Sequence, residues 1–203
     1  MLLVTLALYH RDSLSHGNSR RIFGYEAYHW GLLFTPASSS SSSSDAAPLY
    51  SFDATDASDI DPVTFRLRNP SMDWWLRAET RPTAPNPKLL GQLVVGTLPD
   101  GDAWGEEGGG GFERLKAIFE EVPLPEKNTH PQQSCVTWAV AAVGRMQTQG
   151  WVPAFDLQVL KDAALAYADA RIKEDATEPA LKEYRAEERA FDLFGGVLVW
   201  KRE

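Results

Sequence analysis

A single cysteine, Cys135, stands in the run His130-Pro131-Gln132-Gln133-Ser134-Cys135-Val136-Thr137-Trp138, where a polar loop gives way to an apolar segment ending near Met146. A thiol acts as a nucleophile in its thiolate form, and an imidazole that takes its proton makes a Cys-His pair. His29, in Tyr28-His29-Trp30-Gly31, is the candidate base, and Asp53 is the carboxylate that could hold the imidazole in a useful tautomer. Thiolate attack on an acyl carbon creates an oxyanion, which needs preorganised donors. The Cys135 backbone amide and a side-chain amide from Gln132 or Gln133 are the candidates. A competing reading makes Cys135 a small core hydrophobe, His29 a satisfied core or edge histidine and Asp53 a solvated strand-end carboxylate. Spacing along the chain permits the Cys-His contact and does not establish it.

Two elements must position this chemistry. Ser134 is a good N-cap, and Val136, Ala139, Val140 and Val143 follow at helical spacing until Gly150 supplies a stop. Cys135 then falls in the first turn, where unpaired amides and the positive end of the helix dipole favour a thiolate. Trp138 and Ala142 make a further face apolar, so this helix is expected to be buried on most sides. The second element is a strand over 25–34, whose alternation sets Tyr28, Trp30, Leu32 and Phe34 on one face and Ala27, His29, Gly31 and Leu33 on the other. Gly31 leaves room for a backbone or a substrate to approach the imidazole. A strand over 49–54 carries Asp53 on the face of Leu49 and Ser51. Short connections join neighbours, so the two strands are expected to pair as a hairpin that brings Asp53 near His29.

The remaining chain reads as supporting structure. The apolar start, 1–9, is a buried first strand, too short to span a bilayer and without the basic leader of a signal peptide. Residues 10–21 read as a loop, and 36–47 as a flexible serine-rich loop. Val63, Phe65 and Leu67 alternate with polar residues as a half-buried strand, and 89–96 is another strand. The glycine-rich loop 99–111 lacks the lysine and hydroxyl spacing of a phosphate loop. Phe112, Leu115, Ile118, Phe119 and Val122 mark a short helix, a further helix begins near Asp156, and a charged one covers 178–191. Val197 to Trp200 is a last strand or a docked tail.

Composition bounds the function classes. The 203 residues read as one domain, 1–203, of ordinary globular composition, 43% hydrophobic and 24% charged. A net charge of −8 argues against nucleic acid or an anionic membrane as the main partner. One cysteine excludes an intramolecular disulfide and fits a reducing, cytoplasmic setting. The four histidines show no paired ligand spacing, so neither a metal nor another cofactor is expected. Trp30, Trp138 and Tyr28 are the aromatic residues nearest the candidate pair and the candidates for contacting substrate. Trp74, Trp75 and Trp104 could extend such a cleft.

The aromatic-His-aromatic-Gly strand Tyr28-His29-Trp30-Gly31, followed much later by a helix led by Cys135, resembles the circularly permuted papain-like proteins of the NlpC/P60 superfamily, in which the histidine strand precedes the cysteine helix. More closely, Leu6-Ala7-Leu8-Tyr9, Tyr28 to Leu33, Ser134 to Trp138 and a later Tyr167-Ala168 helix resemble a set of uncharacterised filamentous-fungal proteins over most of the chain. Asparagine often precedes the cysteine in that set; Ser134 stands there in this chain. The resemblance implies an α+β fold, with an antiparallel sheet packed against a central Cys-bearing helix and additional C-terminal helices. It matches Cys135 to the nucleophile, His29 to the base and, loosely, Asp53 to the third polar residue. The implied activity is acyl-group chemistry through a thioester on a small-molecule or peptide substrate: hydrolysis of an amide, ester or thioester, or acyl transfer. A biosynthetic setting is compatible with it. The alternative is a papain-like binding or scaffold protein without turnover, recognising its partner through a Trp-lined cleft.

Overall fold

A computed structural model describes residues 1–37, 50–58, 60–61, 63–80, 86–99, 110–173 and 180–185. The apolar N-terminal segment forms the strand β1 (Leu2–His10) at the heart of a sheet. Its neighbours are β2 (Tyr28–Pro36) on one side and β5 (Leu89–Leu98) on the other; β3 (Tyr50–Thr55) and β4 (Trp75–Thr80) extend the sheet beyond β2. A short strand β6 (Ala180–Glu183) closes the other edge, giving the six-stranded order β4-β3-β2-β1-β5-β6. All pairings are antiparallel except β5 with β6, which is parallel. The fold is therefore α+β with a mixed sheet, a correction to the purely antiparallel sheet that the resemblance implies.

Strand alternation sorts the side chains as the sequence leads one to expect. Val4, Leu6 and Leu8 of β1, Trp30, Leu32 and Phe34 of β2, and Phe52 and Ala54 of β3 join one buried cluster. Three helices contribute its other side: α2 (Gly110–Glu120) through Leu115 and Phe119, α3 (Cys135–Thr148) through Val136, Trp138, Ala139, Ala142, Val143 and Met146, and α4 (Leu157–Lys173) through Leu160, Ala164 and Ala168. Phe119 sits at a junction, its ring centroid 4.9 Å from Phe52 and 5.8 Å from Trp138. Full burial of each such large side chain contributes roughly 1.5–3 kcal/mol, so this face holds α3 against β2 and β3. Close approach of α4 depends on Gly91: a Cβ there would lie 2.4 Å from the Tyr167 hydroxyl.

Three local expectations are corrected. Residues 10–21 contain a 3-10 turn, Asp12–Ser15, and the start of the short helix α1 (Gly17–Phe23), and a second 3-10 turn, Gly24–Ala27, precedes β2. Hydrogen bonds organise this segment: Ser15 Oγ donates to the Ala27 carbonyl at 2.6 Å and the Arg11 guanidinium to that of Glu26 at 2.8 Å. Val63, Phe65 and Leu67 form no strand and are exposed. Asp61 folds that stretch into a turn by accepting from the Val63 and Thr64 amides at 2.9 and 2.8 Å, and only the isolated bridge between Ile60 and Leu67 remains. Residues 180–183 are β6 and not part of a helix over 178–191, because their backbone pairs with Gly91 to Val94. The serine run, most of the glycine-rich loop and the segment 197–200 lie outside the described residues. Among the described residues no helix is long and apolar enough to cross a membrane.

Candidate active site

The helix α3 begins as its sequence dictates. Ser134 adopts an extended conformation, and its hydroxyl accepts from the Val136 amide at 3.2 Å. Thr137 Oγ1 accepts from the Ser134 amide at 2.9 Å, completing a capping box. Cys135 is thus the first helical residue, and its own amide has no hydrogen-bond partner among the described residues. At the far end Gly150, with φ of 74°, lets the chain leave the helix.

This helix tip meets the start of β2. Ladder pairing between β2 and β3 is confined to Leu32–Phe52, Leu33–Ser51 and Phe34–Tyr50, so Tyr28 to Gly31 and Asp53 to Thr55 lie beyond it. The Cys135 thiol points at the Tyr28 carbonyl oxygen, 4.0 Å from Sγ, and the sulfur lies close enough to the His29 imidazole to interact with it electrostatically. The ring's Nε2 donates to Asp53 Oδ2 at 2.7 Å, which leaves Nδ1 for the thiol. The structure therefore brings together the three residues from two strands and a helix tip.

Gly31 makes the Asp53 contact possible. A Cβ at position 31 would lie 3.1 Å from Asp53 Cβ, so the space beside the imidazole is filled by the carboxylate's own stem and not held open for a substrate. On the other side, β1 register sets Tyr9 directly across from His29, their ring centroids 5.9 Å apart. Register on β4 sets Arg77 across from Asp53. Its guanidinium donates through Nε to Oδ1 at 3.0 Å and through Nη2 to Oδ2 at 2.9 Å.

The electrostatics follow from this packing. Burial works against a charged imidazole, but the Cys135 sulfur and then the Asp53 carboxylate outweigh it and raise the His29 pKa to about 10. Burial likewise opposes the Asp53 anion, yet the His29 bond and charge, followed by Arg77, hold its carboxyl below the ordinary value. The Tyr9 phenol is pushed up, first by burial and then by the Asp53 charge. Of the imidazole and its carboxylate partner Asp53 is the more buried, its side chain 5% exposed against 21% for His29. Cys135 itself is 1% exposed.

The remaining expected site residues fare differently. Gln133 Oε1 accepts from the Glu126 amide at 2.9 Å and so braces the loop before α3, while Gln132 is exposed and makes no hydrogen bond among the described residues. Trp30, Trp138 and Tyr28 do not line an open cleft: each is at most 1% exposed and belongs to the core beneath the site. Alternation already places Tyr28 and Trp30 on the core face, and an amphipathic phenol can meet that burial if its hydroxyl finds a partner. The Tyr28 hydroxyl donates to Asp169 of α4 at 2.7 Å, and Asp169 also receives two Arg20 bonds of 2.6 Å, so the strand end bearing His29 is tied to two helices. Trp74 and Trp75 are half-buried, and Trp104 lies outside the described residues.

Arg77 and Tyr9 are the site neighbours that sequence reasoning misses. Alternation of Trp75, Arg77 and Glu79 puts Arg77 on one face of a strand, but its meeting with Asp53 needs the β3–β4 register. No group of His, Cys, Asp and Glu able to hold a metal ion occurs among the described residues.

No curated protein and no solved structure matches the chain. A family model does, over residues 3–196, a span that includes each of the residues just described. The chain therefore belongs to the family of unknown function DUF6914.

Proposed function

We propose that this protein is a cysteine-nucleophile enzyme of acyl-group chemistry, with Cys135 as nucleophile, His29 as base and Asp53 as the residue that orients the imidazole. The observation that carries the reading is the position of His29, whose ring interacts electrostatically with the Cys135 sulfur and bonds through Nε2 to Asp53 at 2.7 Å. A raised proton affinity there means that a proton leaving the sulfur is held on the imidazole at neutral pH. The thiolate attacks the acyl carbon, and the Cys135 amide at the helix tip donates to the developing oxyanion. The imidazolium then protonates the leaving amine or alkoxide as the carbon-heteroatom bond breaks, leaving a thioester on Cys135. Water or an amine, deprotonated by His29, attacks that thioester and restores the thiolate. The order of histidine strand before cysteine helix, together with a sheet packed on that helix, supports a permuted papain-like frame of the NlpC/P60 type. The acidic chain and its single thiol support a cytoplasmic protein acting on a small-molecule or peptide substrate, with no nucleic acid partner and no cofactor.

One observation favours a second reading. Cys135 is almost fully enclosed, as the thiol of a binding or scaffold protein on the same frame would be. Alkylation by iodoacetamide across pH separates the two, and with one cysteine no assignment is ambiguous. A reactive plateau well below the free-thiol value of about 8.5, lost in His29→Ala, is the expected result. A rate that rises only near that value in both proteins, or no labelling before unfolding, leaves the scaffold.

A further inference from the structure

Asp53 Oδ2 is shared by two cationic donors: His29 Nε2 reaches it at 2.7 Å and Arg77 Nη2 at 2.9 Å, while Arg77 Nε holds Oδ1 at 3.0 Å. The arginine and the aspartate are register partners on adjacent strands, so the clamp is built into the sheet and does not depend on a loop. A carboxylate gripped at both oxygens by a planar guanidinium has its rotation fixed. A carboxylate held only by the imidazole is free to turn about its Cα–Cβ and Cβ–Cγ bonds.

We propose that Arg77 is a positioning residue of the Cys135-His29 site, clamping Asp53 so that one oxygen faces the imidazole and, by drawing on that same oxygen, keeping the imidazolium able to release its proton to the leaving group. This rests on the acyl-group reading above. An acid that holds its proton too tightly is a poor donor in the second half of the reaction, and efficiency is greatest when proton affinity lies near the working pH. A lone buried Asp53 would push His29 further from that range. A second cation on the shared oxygen pulls it back, because it dilutes the negative charge seen by the imidazole and repels the imidazolium. The other groups facing this cluster are the Tyr9 phenol from β1, Glu79 on the face of Arg77 in β4 and the Cys135 sulfur from α3. Tyr9 and Glu79 are present in every variant compared, so a change on replacing Arg77 belongs to Arg77.

The test uses the full-length protein, Arg77→Met, Arg77→Lys and, as an assignment control, His29→Gln. The His29 ring titration is followed by NMR, and the alkylation rate by iodoacetamide is measured at neutral pH. In Arg77→Met the His29 midpoint is expected to rise by about one unit relative to the parent. A midpoint unchanged or lowered, in a variant that keeps the parent near-ultraviolet circular dichroism, overturns the proposal. Arg77→Lys keeps the charge and loses the two-point grip, so its His29 midpoint should stay with the parent while alkylation slows several-fold. If Arg77→Met fails to fold, the lysine variant decides: alkylation at the parent rate, or a midpoint raised by a full unit, overturns the proposal. Failure of the underlying reading looks different. There the parent itself titrates near the ordinary histidine value of about 6.5, whatever stands at position 77.

Discussion

Gly31 and Asp53 touch across the end of the β2–β3 ladder with no space for a side chain on the glycine. An added Cβ would lie 3.1 Å from Asp53 Cβ and 3.2 Å from the Phe52 carbonyl oxygen. The second neighbour is backbone and cannot swing away. Gly31→Ala should therefore cost about 1–3 kcal/mol, as overpacking does elsewhere, and should displace Asp53 from the imidazole. Urea denaturation gives the first effect and the iodoacetamide rate at pH 6 the second. A variant as stable and as reactive as the parent would mean that the contact relaxes freely.

Stability should depend on pH at both ends of the range, for opposite reasons. His29 has its pKa raised on folding, so the stability it contributes is complete below the unfolded value of about 6.5 and is lost as pH rises through about 10. Asp53 has its value lowered, so its contribution is present above about 3.9 and is lost as pH falls through the folded value. The urea midpoint of the parent should form a plateau between these limits. In His29→Gln the decline on the alkaline side, between pH 7 and 10, should flatten, while the acid decline persists.

Replacing Asp53 by asparagine keeps the shape of the side chain and removes its charge. Each unit by which the imidazole loses proton affinity reduces the charged thiolate-imidazolium pair about tenfold. Alkylation of Asp53→Asn at pH 6 should accordingly fall by about tenfold or more, with the remaining reaction moving toward the pH range of a free thiol. Parent-like rates at pH 6 would remove Asp53 from the proposed mechanism.

Ser134 carries the N-cap immediately before the proposed nucleophile. Its hydroxyl accepts from the Val136 amide at 3.2 Å and donates to Glu26 at 3.3 Å. Ser134→Ala should lose about 1 kcal/mol, whereas Ser134→Asn, another strong capping residue, should lose less. Equal losses in the two would show that the cap contributes little beyond the packing of α3.

How far the site is legible in the sequence depends on the range of the interaction that makes each part. The N-cap, the run from Val136 to Val143 and the stop at Gly150 are local, and the helix follows them closely. Alternation along β2 is also local and places His29 opposite to Trp30. The Asp53 contact needs one further step, the pairing of neighbouring strands, and that step holds. Arg77 and Tyr9 need the register of two more strand pairs, which no nearby residue encodes. Errors arise where a local pattern is outweighed by something distant or by a turn. Val63, Phe65 and Leu67 alternate like a strand, but Asp61 closes a turn around them and, among the described residues, the isolated Ile60–Leu67 bridge is the only pairing they make. The segment 180–183 has helical composition, yet the open edge of β5 offers it hydrogen bonds. Tyr28 and Trp30 are aromatic and adjacent to His29, which invites a binding role, but their alternation with His29 commits them to the core.

The placement of β1 in the middle of the sheet sets an order of assembly. Its two partners are β2, the next strand along the chain, and β5, which begins only at Leu89. One side of the sheet's centre stays unpaired until a long stretch of chain has been made, and such distant pairing slows folding. During synthesis, strands β1 to β5 all leave the ribosome before position 135. Tyr9, His29, Asp53 and Arg77 can thus be aligned while the chain still lacks its only thiol. The thiol is delivered last, to a proton acceptor already waiting for it.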